Sequence, residues 1–116
     1  MFFAIIKNRI IMVVKSSDSK HREFKGIKFE LLATGDKTMV TKMIYNIGDK
    51  IPIHSHPNEQ SGYVISGEYL IKIGEIKETL KQGDSYSIPE NVEHSLEVII
   101  GGNIIDVFSP PRKDYL

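Results

Sequence analysis

Hydrophobic and polar residues alternate along most of the chain with a period close to two, which is the pattern of β-strands. In KTMVTKMIYN (37–46), apolar residues occupy both alternating faces, as in a strand that is covered on each side. The segments YVISGEYLIKIG (63–74) and NIIDVF (103–108) are rich in β-branched and aromatic residues, which favour strands. No segment carries a long helical stripe. The segment SSDSK (16–20) is predicted to be a polar loop. We expect helix only as a short turn within Asp18–Phe24, which overlaps the end of this loop.

Glycine and proline residues divide the chain into these short segments. Ile73–Ile76 is predicted to form a two-residue hairpin, because Gly74 at the first central position permits the positive φ of a type II′ turn. Gly83–Asp84 and Gly101–Gly102 mark further turns, and Pro110–Pro111 ends the last strand because proline cannot donate to a ladder. Short strands with turns roughly every 8–12 residues predict an all-β fold, either a sandwich or a barrel.

Composition narrows the class of protein further. The 116 residues fit one domain, 1–116, and leave little room for a second core. Basic and acidic residues balance at 15 each, which argues against a nucleic-acid binder because such proteins carry a basic excess. The absence of cysteine excludes disulfides, thiolate metal sites and cysteine nucleophiles. It also fits a reducing compartment, and we expect a cytoplasmic protein.

The N-terminus, MFFAIIKNRIIMVV, is apolar but is interrupted by Lys7, Asn8 and Arg9. Its apolar pieces are too short to span a bilayer, and it lacks the charge pattern and cleavage site of a signal peptide. We predict that residues 1–20 form an N-terminal strand and loop. An apolar edge strand invites pairing, so this segment is a candidate contact in a homodimer. Met12 is a candidate for an alternative start of translation.

Candidate metal ligands occur in the stretch GDKIPIHSHPNEQSGYVISG (48–67). His54 and His56 are two residues apart, so on a strand both rings point to one face. Gln60 follows a Pro-Asn turn that can return it to that face, and His94 is a fourth candidate. A histidine pair alone is more often an ordinary surface feature, and it indicates a metal site only together with suitable residues around it.

Those residues form two spaced motifs. The first is Gly48-x5-His54-x-His56-x3-Gln60-x6-Gly67, and the second is Gly83-x5-Pro89-x-Asn91-x2-His94-x3-Val98. Together they resemble the two motifs of the cupin superfamily, from about Ile44 to the end of the chain. The resemblance implies a single-domain jelly-roll β-barrel with a metal in its mouth. Three positions depart from the family pattern. Gln60 stands in place of a glutamate, Asn91 in place of a glycine and Val98 in place of an asparagine.

Of these departures, Gln60 bears directly on the metal site. We prefer Gln60 to Glu59 as the fourth ligand, because neighbouring strand residues point to opposite faces. Three imidazoles and an amide oxygen are neutral, so a divalent ion would keep its full charge for an anionic ligand. Asn91 is a mild change, because asparagine tolerates left-handed backbone. Imidazole ligands suit nickel, zinc, iron, manganese or copper, and the sequence does not choose among them.

The C-terminal stretch DVFSPPRKDYL (106–116) and the stretch HSHPNEQSGYVISGE (54–68) resemble the KdgF-type pectin-degradation cupins. That resemblance implies linearisation of 4,5-unsaturated uronate sugars to 5-keto-4-deoxyuronate. It also implies roles for Asp106, Phe108 and Arg112, the positions that match the family pattern. The partner would then be a small anionic sugar.

Elementary chemistry is compatible with those roles. Asp106 and Phe108 are two apart on a predicted strand and share a face, so Asp106 could carry a proton and Phe108 could form an apolar wall. The guanidinium of Arg112 suits bidentate binding of a carboxylate. Tyr63 and Tyr69 are further candidates to line the cavity. Three alternatives stay open at this point: a non-catalytic metal- or sugar-binding cupin, a redox cupin such as a dioxygenase, and a metal-free structural protein.

Overall fold

A computed structural model describes the backbone of residues 5–6 and 9–116, and the side chains from residue 11 onward. In this part of the chain, the strands are β1 (Ile5–Ile6), β2 (Arg9–Ile10), β3 (Lys20–Phe24), β4 (Ile27–Thr34), β5 (Met39–Tyr45), β6 (Lys50–His54), β7 (Glu59–Val64), β8 (Glu68–Ile73), β9 (Ile76–Leu80), β10 (Ser85–Ile88), β11 (His94–Ile100) and β12 (Gly102–Ser109). Two 3₁₀ turns complete the list, at Ser16–Asp18 and Lys113–Tyr115. The all-β prediction is confirmed.

The strands from β3 onward form two antiparallel sheets. One has six strands in the order β10-β7-β12-β5-β4-β3, and the other has four in the order β6-β11-β8-β9. No ladder joins the two sheets within the described residues, so the architecture there is a jelly-roll sandwich of two facing sheets. The non-sequential order follows from strands that alternate between the sheets, which brings distant parts of the sequence together.

A single apolar core fills the space between the sheets. Along β5, alternate residues are buried, so Met39, Met43 and Tyr45 share the inner face. Burial of such side chains supplies the main stabilising free energy, at about 25 cal/mol per Å² of apolar surface. The other buried apolar residues of the core are Ile27, Phe29, Leu31, Ile51, Val64, Tyr69, Ile71, Leu80, Leu96, Val98, Ile104, Phe108 and Tyr115.

The turn predictions agree with the structure. Ile73 pairs with Ile76 across the β8–β9 hairpin, and Gly74 has φ +57°. Asn91, which stands where the sequence motif has glycine, adopts φ +62°. Asparagine is one of the few residues that enters this left-handed region at small cost, so the departure from the motif leaves the local backbone unchanged.

The helical turn predicted within Asp18–Phe24 is wrong over most of that range. A 3₁₀ turn ends at Asp18, and residues 20–24 form β3 on the edge of the six-stranded sheet. Arg22 and Phe24 are partly buried, whereas the residues between and before them are exposed. This alternation has the period of a strand, and pairing with β4 satisfies the backbone along it.

The predicted N-terminal strand and dimer contact lie largely outside the described residues. β1 and β2 pair with each other, and nothing further is described of residues 1–10. The homodimer therefore stays a prediction. None of the helices in the described part of the chain is long and apolar enough to cross a membrane.

Candidate metal centre and cavity

Three histidines meet at one end of the sandwich, although they are far apart in sequence. His54 is the last residue of β6 and His94 is the first of β11, and the two are paired in the antiparallel register. His56 lies in the loop that follows β6. The ring centres of His54 and His94 are 4.2 Å apart, and those of His56 and His94 are 4.8 Å apart. The structure thus brings together the three histidines that the sequence selected.

Each histidine is oriented by a backbone carbonyl two residues away. Nδ1–H of His54 donates to Pro52 O at 2.9 Å, and Nδ1–H of His94 donates to Val92 O at 2.8 Å. His56 makes the same bond to Asn58 O at 2.9 Å. A carbonyl can only accept, so Nδ1 must carry the proton and each Nε2 presents a lone pair. This is the arrangement by which proteins fix the tautomer of a metal-ligating histidine.

The histidine cluster fits a metal ion. One ring nitrogen from each residue can be chosen so that all three lie within 4.8 Å of one another. His94 Nε2 is buried and has no hydrogen-bond partner within the described residues. A buried, unpaired acceptor carries a free-energy cost, which coordination of a cation would remove. His54, His56 and His94 could therefore bind a metal, and imidazole nitrogen suits several divalent transition metals without selecting one.

Gln60 lies against this cluster with its amide oxygen directed at it. Along β7, Glu59 is exposed and Gln60 is buried, as the alternation of strand residues predicts. Gln60 Oε1 is 3.0 Å from His56 Nε2. Both atoms are acceptors when His56 is protonated on Nδ1, so they cannot satisfy each other. A cation between them would satisfy both, so Gln60 could act as a ligand beside the three histidines.

Burial lowers the pKa of all three imidazoles, and for His94 the value falls to about 4. The hydrogen bonds to backbone carbonyls oppose this shift, and the positive charge of Arg112 adds to it. The histidines are therefore neutral at physiological pH. Neutral imidazole is the form that binds a metal ion, so protons compete weakly for the site.

Asp106 lies on the inner face of β12 and is 2% exposed. Burial raises its pKa to about 6, while hydrogen bonds from Tyr86 and Gln60 and the charge of Arg112 lower it. Tyr86 Oη donates to Asp106 Oδ1 at 2.5 Å. Gln60 lies close enough to Asp106 to lower the pKa of that carboxyl, while its amide oxygen faces His56. A carboxyl whose pKa lies close to neutrality can both accept and release a proton.

Arg112 is buried and packs against three aromatic rings. Its guanidinium carbon is 4.1 Å from the ring centre of Tyr115, 5.0 Å from that of Phe24 and 5.4 Å from that of Phe108. The Nε and Nη2 groups donate to the two carboxylate oxygens of Asp114 at 3.2 and 2.8 Å. Nη1 donates to the Tyr115 hydroxyl at 2.9 Å. The carboxylate-binding edge of Arg112 is therefore already engaged within the chain.

One cavity connects these groups, with about 420 Å³ of space including its open mouth. Polar groups are concentrated among an otherwise apolar wall, as in small-molecule sites. Phe108 forms part of this wall, on the same face of β12 as Asp106. The polar residues and tyrosines that line the cavity are Tyr45, His54, Gln60, Tyr86, His94, Ser95, Asp106, Arg112 and Tyr115.

The two tyrosines proposed from the sequence do not line this cavity. Tyr63 is 49% exposed on the outer face of β7, and Tyr69 is buried in the core, where its hydroxyl donates to Ser66 O. Tyr86 and Tyr115 line it instead, and Phe24 closes it beside His54 at 5.7 Å between ring centres. The sequence does not indicate which aromatic residues line the cavity, because this depends on which strands become neighbours in the sheets.

The fold and the histidine cluster define a β-sandwich protein with a candidate metal centre at one end. The model of the Cupin_2 family, described as the cupin domain, matches residues 41–102. The chain belongs to the cupin family.

Solved structures with the same fold match most of this chain. An RmlC-like cupin from Shewanella frigidimarina is 28% identical, with 90% of this chain and 95% of that chain covered and a TM-score of 0.83. KdgF from Halomonas sp. is 24% identical, with 88% and 96% covered and a TM-score of 0.80. A variant of oxalate decarboxylase from Bacillus subtilis is 21% identical, with 81% of this chain and 28% of that chain covered and a TM-score of 0.73. Among curated proteins, a search finds no match.

Proposed function

We propose that this cupin is a metal-dependent enzyme that linearises 4,5-unsaturated uronate sugars to 5-keto-4-deoxyuronate. The observation that carries the proposal is the position of Asp106. Its buried carboxyl, with a pKa of about 6, lines one cavity together with two neutral histidines, His54 and His94, and a buried arginine. This combination supplies a proton carrier and a cation beside a candidate metal centre. The shared fold with KdgF from Halomonas sp. is consistent with it and supplies no further argument.

The reaction is an isomerisation, so the proton must be moved and returned. The bond between C1 and the ring oxygen breaks, C1–OH loses its proton to become the aldehyde, and the ring oxygen gains a proton as an enol. The enol then loses its O–H proton while C4 gains one, which gives the ketone. A carboxyl near neutrality can exchange these protons in turn, and we assign that role to Asp106.

The other groups of the cavity bind and orient the sugar. Arg112 is the cation that would pair with the uronate carboxylate, in competition with Asp114. Phe108 offers an apolar surface to the ring. His54, His56, His94 and Gln60 would hold the metal. When bound, that ion would supply Lewis-acid stabilisation of negative charge on a substrate oxygen.

The direct test follows the ultraviolet absorbance of the conjugated double bond of unsaturated galacturonate after addition of protein with measured metal content. We expect faster loss of absorbance than the spontaneous rate. Asp106→Asn should abolish the acceleration and keep the metal, whereas Asp36→Asn, at an exposed loop position, should leave it unchanged. A metal-loaded protein that gives only the spontaneous rate would refute the proposal. Saturable sugar binding without turnover would then identify a non-catalytic binding protein.

A further inference from the structure

Four residues form one cross-strand row next to the candidate metal centre. Thr41 on β5 is opposite Asp106 on β12, Asp106 is opposite Gly62 on β7, and Gly62 is opposite Tyr86 on β10. Side chains in such a row normally touch only their direct neighbours, about 5 Å away. Tyr86 and Asp106 are two strands apart, yet the Tyr86 hydroxyl donates to Asp106 Oδ1 at 2.5 Å.

This bond exists because Gly62 has no side chain. A Cβ at Gly62 would lie 2.6 Å from Asp106 Oδ1 and would overlap the end of the Tyr86 ring even more closely. Real Cβ atoms essentially never approach other heavy atoms within 3.0 Å. Gly62 does not have a positive φ, so its backbone conformation does not require glycine. What requires glycine here is the passage of the Tyr86 side chain across β7.

The opposite side of Asp106 offers no equivalent partner. Thr41 is fully buried, and its Oγ1 makes no hydrogen bond within the described residues. Asp106 is therefore oriented from one side, by the Tyr86 hydroxyl, and Gln60 lies on that same side, on the strand that carries Gly62. Gln60 is itself directed at the candidate metal centre.

We propose that Tyr86 is the positioning residue of Asp106, and that it acts across the gap left by Gly62 to hold the carboxyl in one orientation toward the cavity. The role of that orientation in turnover rests on the function proposed above. The Tyr86–Asp106 contact itself does not depend on that function. Holding a proton-transfer group in place matters because a misplacement of about 1 Å can cost about 100-fold in rate.

The first measurement uses metal-free protein and no substrate. A hydroxyl proton in a short bond to a buried carboxyl gives a slowly exchanging, downfield resonance in proton NMR. We expect this resonance in the wild type and in Gly35→Ala, where the added Cβ meets nothing closer than 3.9 Å. It should be absent from Tyr86→Phe, shifted upfield in Asp106→Asn because a neutral amide oxygen accepts more weakly than a carboxylate, and lost or shifted upfield in Gly62→Ala. A wild type without the resonance, or a Tyr86→Phe protein that keeps it, would overturn the proposal.

The second measurement is steady-state turnover of the unsaturated uronate by metal-loaded protein. Tyr86→Phe keeps the ring that packs over Gly62, so we expect a loss of about 10- to 100-fold in kcat with KM and metal content unchanged. An unchanged kcat in Tyr86→Phe would show that Tyr86 has no positioning role in turnover, even if the wild type shows the resonance. If the wild type itself does not convert uronate, the proposed function fails, and the resonance and its loss in Tyr86→Phe and Gly62→Ala still decide whether Tyr86 holds Asp106.

Discussion

Replacing Asp106 by asparagine should stabilise the metal-free protein at neutral pH. The carboxyl is 2% exposed, and burial is the largest cause of its raised pKa. Asparagine has nearly the same shape and can still accept the hydrogen bond from Tyr86. The substitution therefore removes the cost of burying a charge and leaves the packing in place.

The size of the effect follows from linkage between protonation and folding. Raising the pKa from 3.8 to about 6 corresponds to about 3 kcal/mol of unfolding free energy. Below pH 3.8, both the folded and the unfolded states carry a protonated Asp106, and the stabilisation is complete. Between pH 3.8 and 6 the folded state holds a proton that the unfolded state has lost, so wild-type stability falls as pH rises. Above pH 6 both states are ionised and the loss is complete.

Urea unfolding of wild type and Asp106→Asn from pH 4 to 8, with a chelator present, measures this directly. We expect the variant to gain stability relative to wild type as pH rises to about 6, by about 3 kcal/mol, and no further change above that pH. In a chain of this length, the gain at pH 8 corresponds to a rise in Tm of about 10 °C. Asp36→Asn should show no such trend. A difference between Asp106→Asn and wild type that does not vary with pH, or that falls as pH rises, would refute the reasoning.

Three further outcomes follow from the site. Asp114→Asn should tighten galacturonate binding to Arg112 by no more than about fivefold in calorimetry, because a half-exposed ion pair contributes about 1 kcal/mol or less. Weaker binding in this variant would mean that the Asp114 carboxylate orients the arginine instead of competing with the ligand. His94→Ala should weaken binding of Zn²⁺ by more than about 100-fold, because the loss of a residue that only hydrogen-bonds to a ligand already costs about 10- to 100-fold and a ligand should cost more. His21→Ala, the control, should have no effect. Gln60→Glu should bind Zn²⁺ more tightly and turn over more slowly, because a carboxylate neutralises part of the charge of the ion. Equal Zn²⁺ affinity in Gln60→Glu and wild type would show that this side chain is not a ligand.

The sequence predicted the fold well because both of its signals are local. Period-two alternation identified the strands, and Gly74 identified a hairpin from one dipeptide. The error within Asp18–Phe24 arose where a short polar segment has no strong alternation of its own. Its strand conformation is stabilised by pairing with β4, which the sequence of β3 does not encode.

The site was predictable only where its residues share a motif. His54, His56 and His94 were found by their spacing, and the structure brings their rings together. Tyr86 was not found, because its importance depends on the register between β7 and β10 and on Gly62, a glycine on the strand next to that of the carboxyl. The Asp114 carboxylate was missed for a related reason, since its contact with Arg112 depends on the 3₁₀ turn that ends the chain.

Gln60 can now be explained by two neighbours rather than one. Its amide oxygen faces His56 Nε2 at 3.0 Å, and its side chain also lowers the pKa of Asp106, as a hydrogen-bond donor beside a carboxylate does. A glutamate in this place could present an oxygen to the histidines but could not donate to a carboxylate, and it would set two acidic groups side by side in a buried space. An amide is the side chain of this length that satisfies both neighbours. The neutral residue thus lies between the candidate metal centre and the carboxyl that we propose moves the proton, and Tyr86 donates to that carboxyl from the same side.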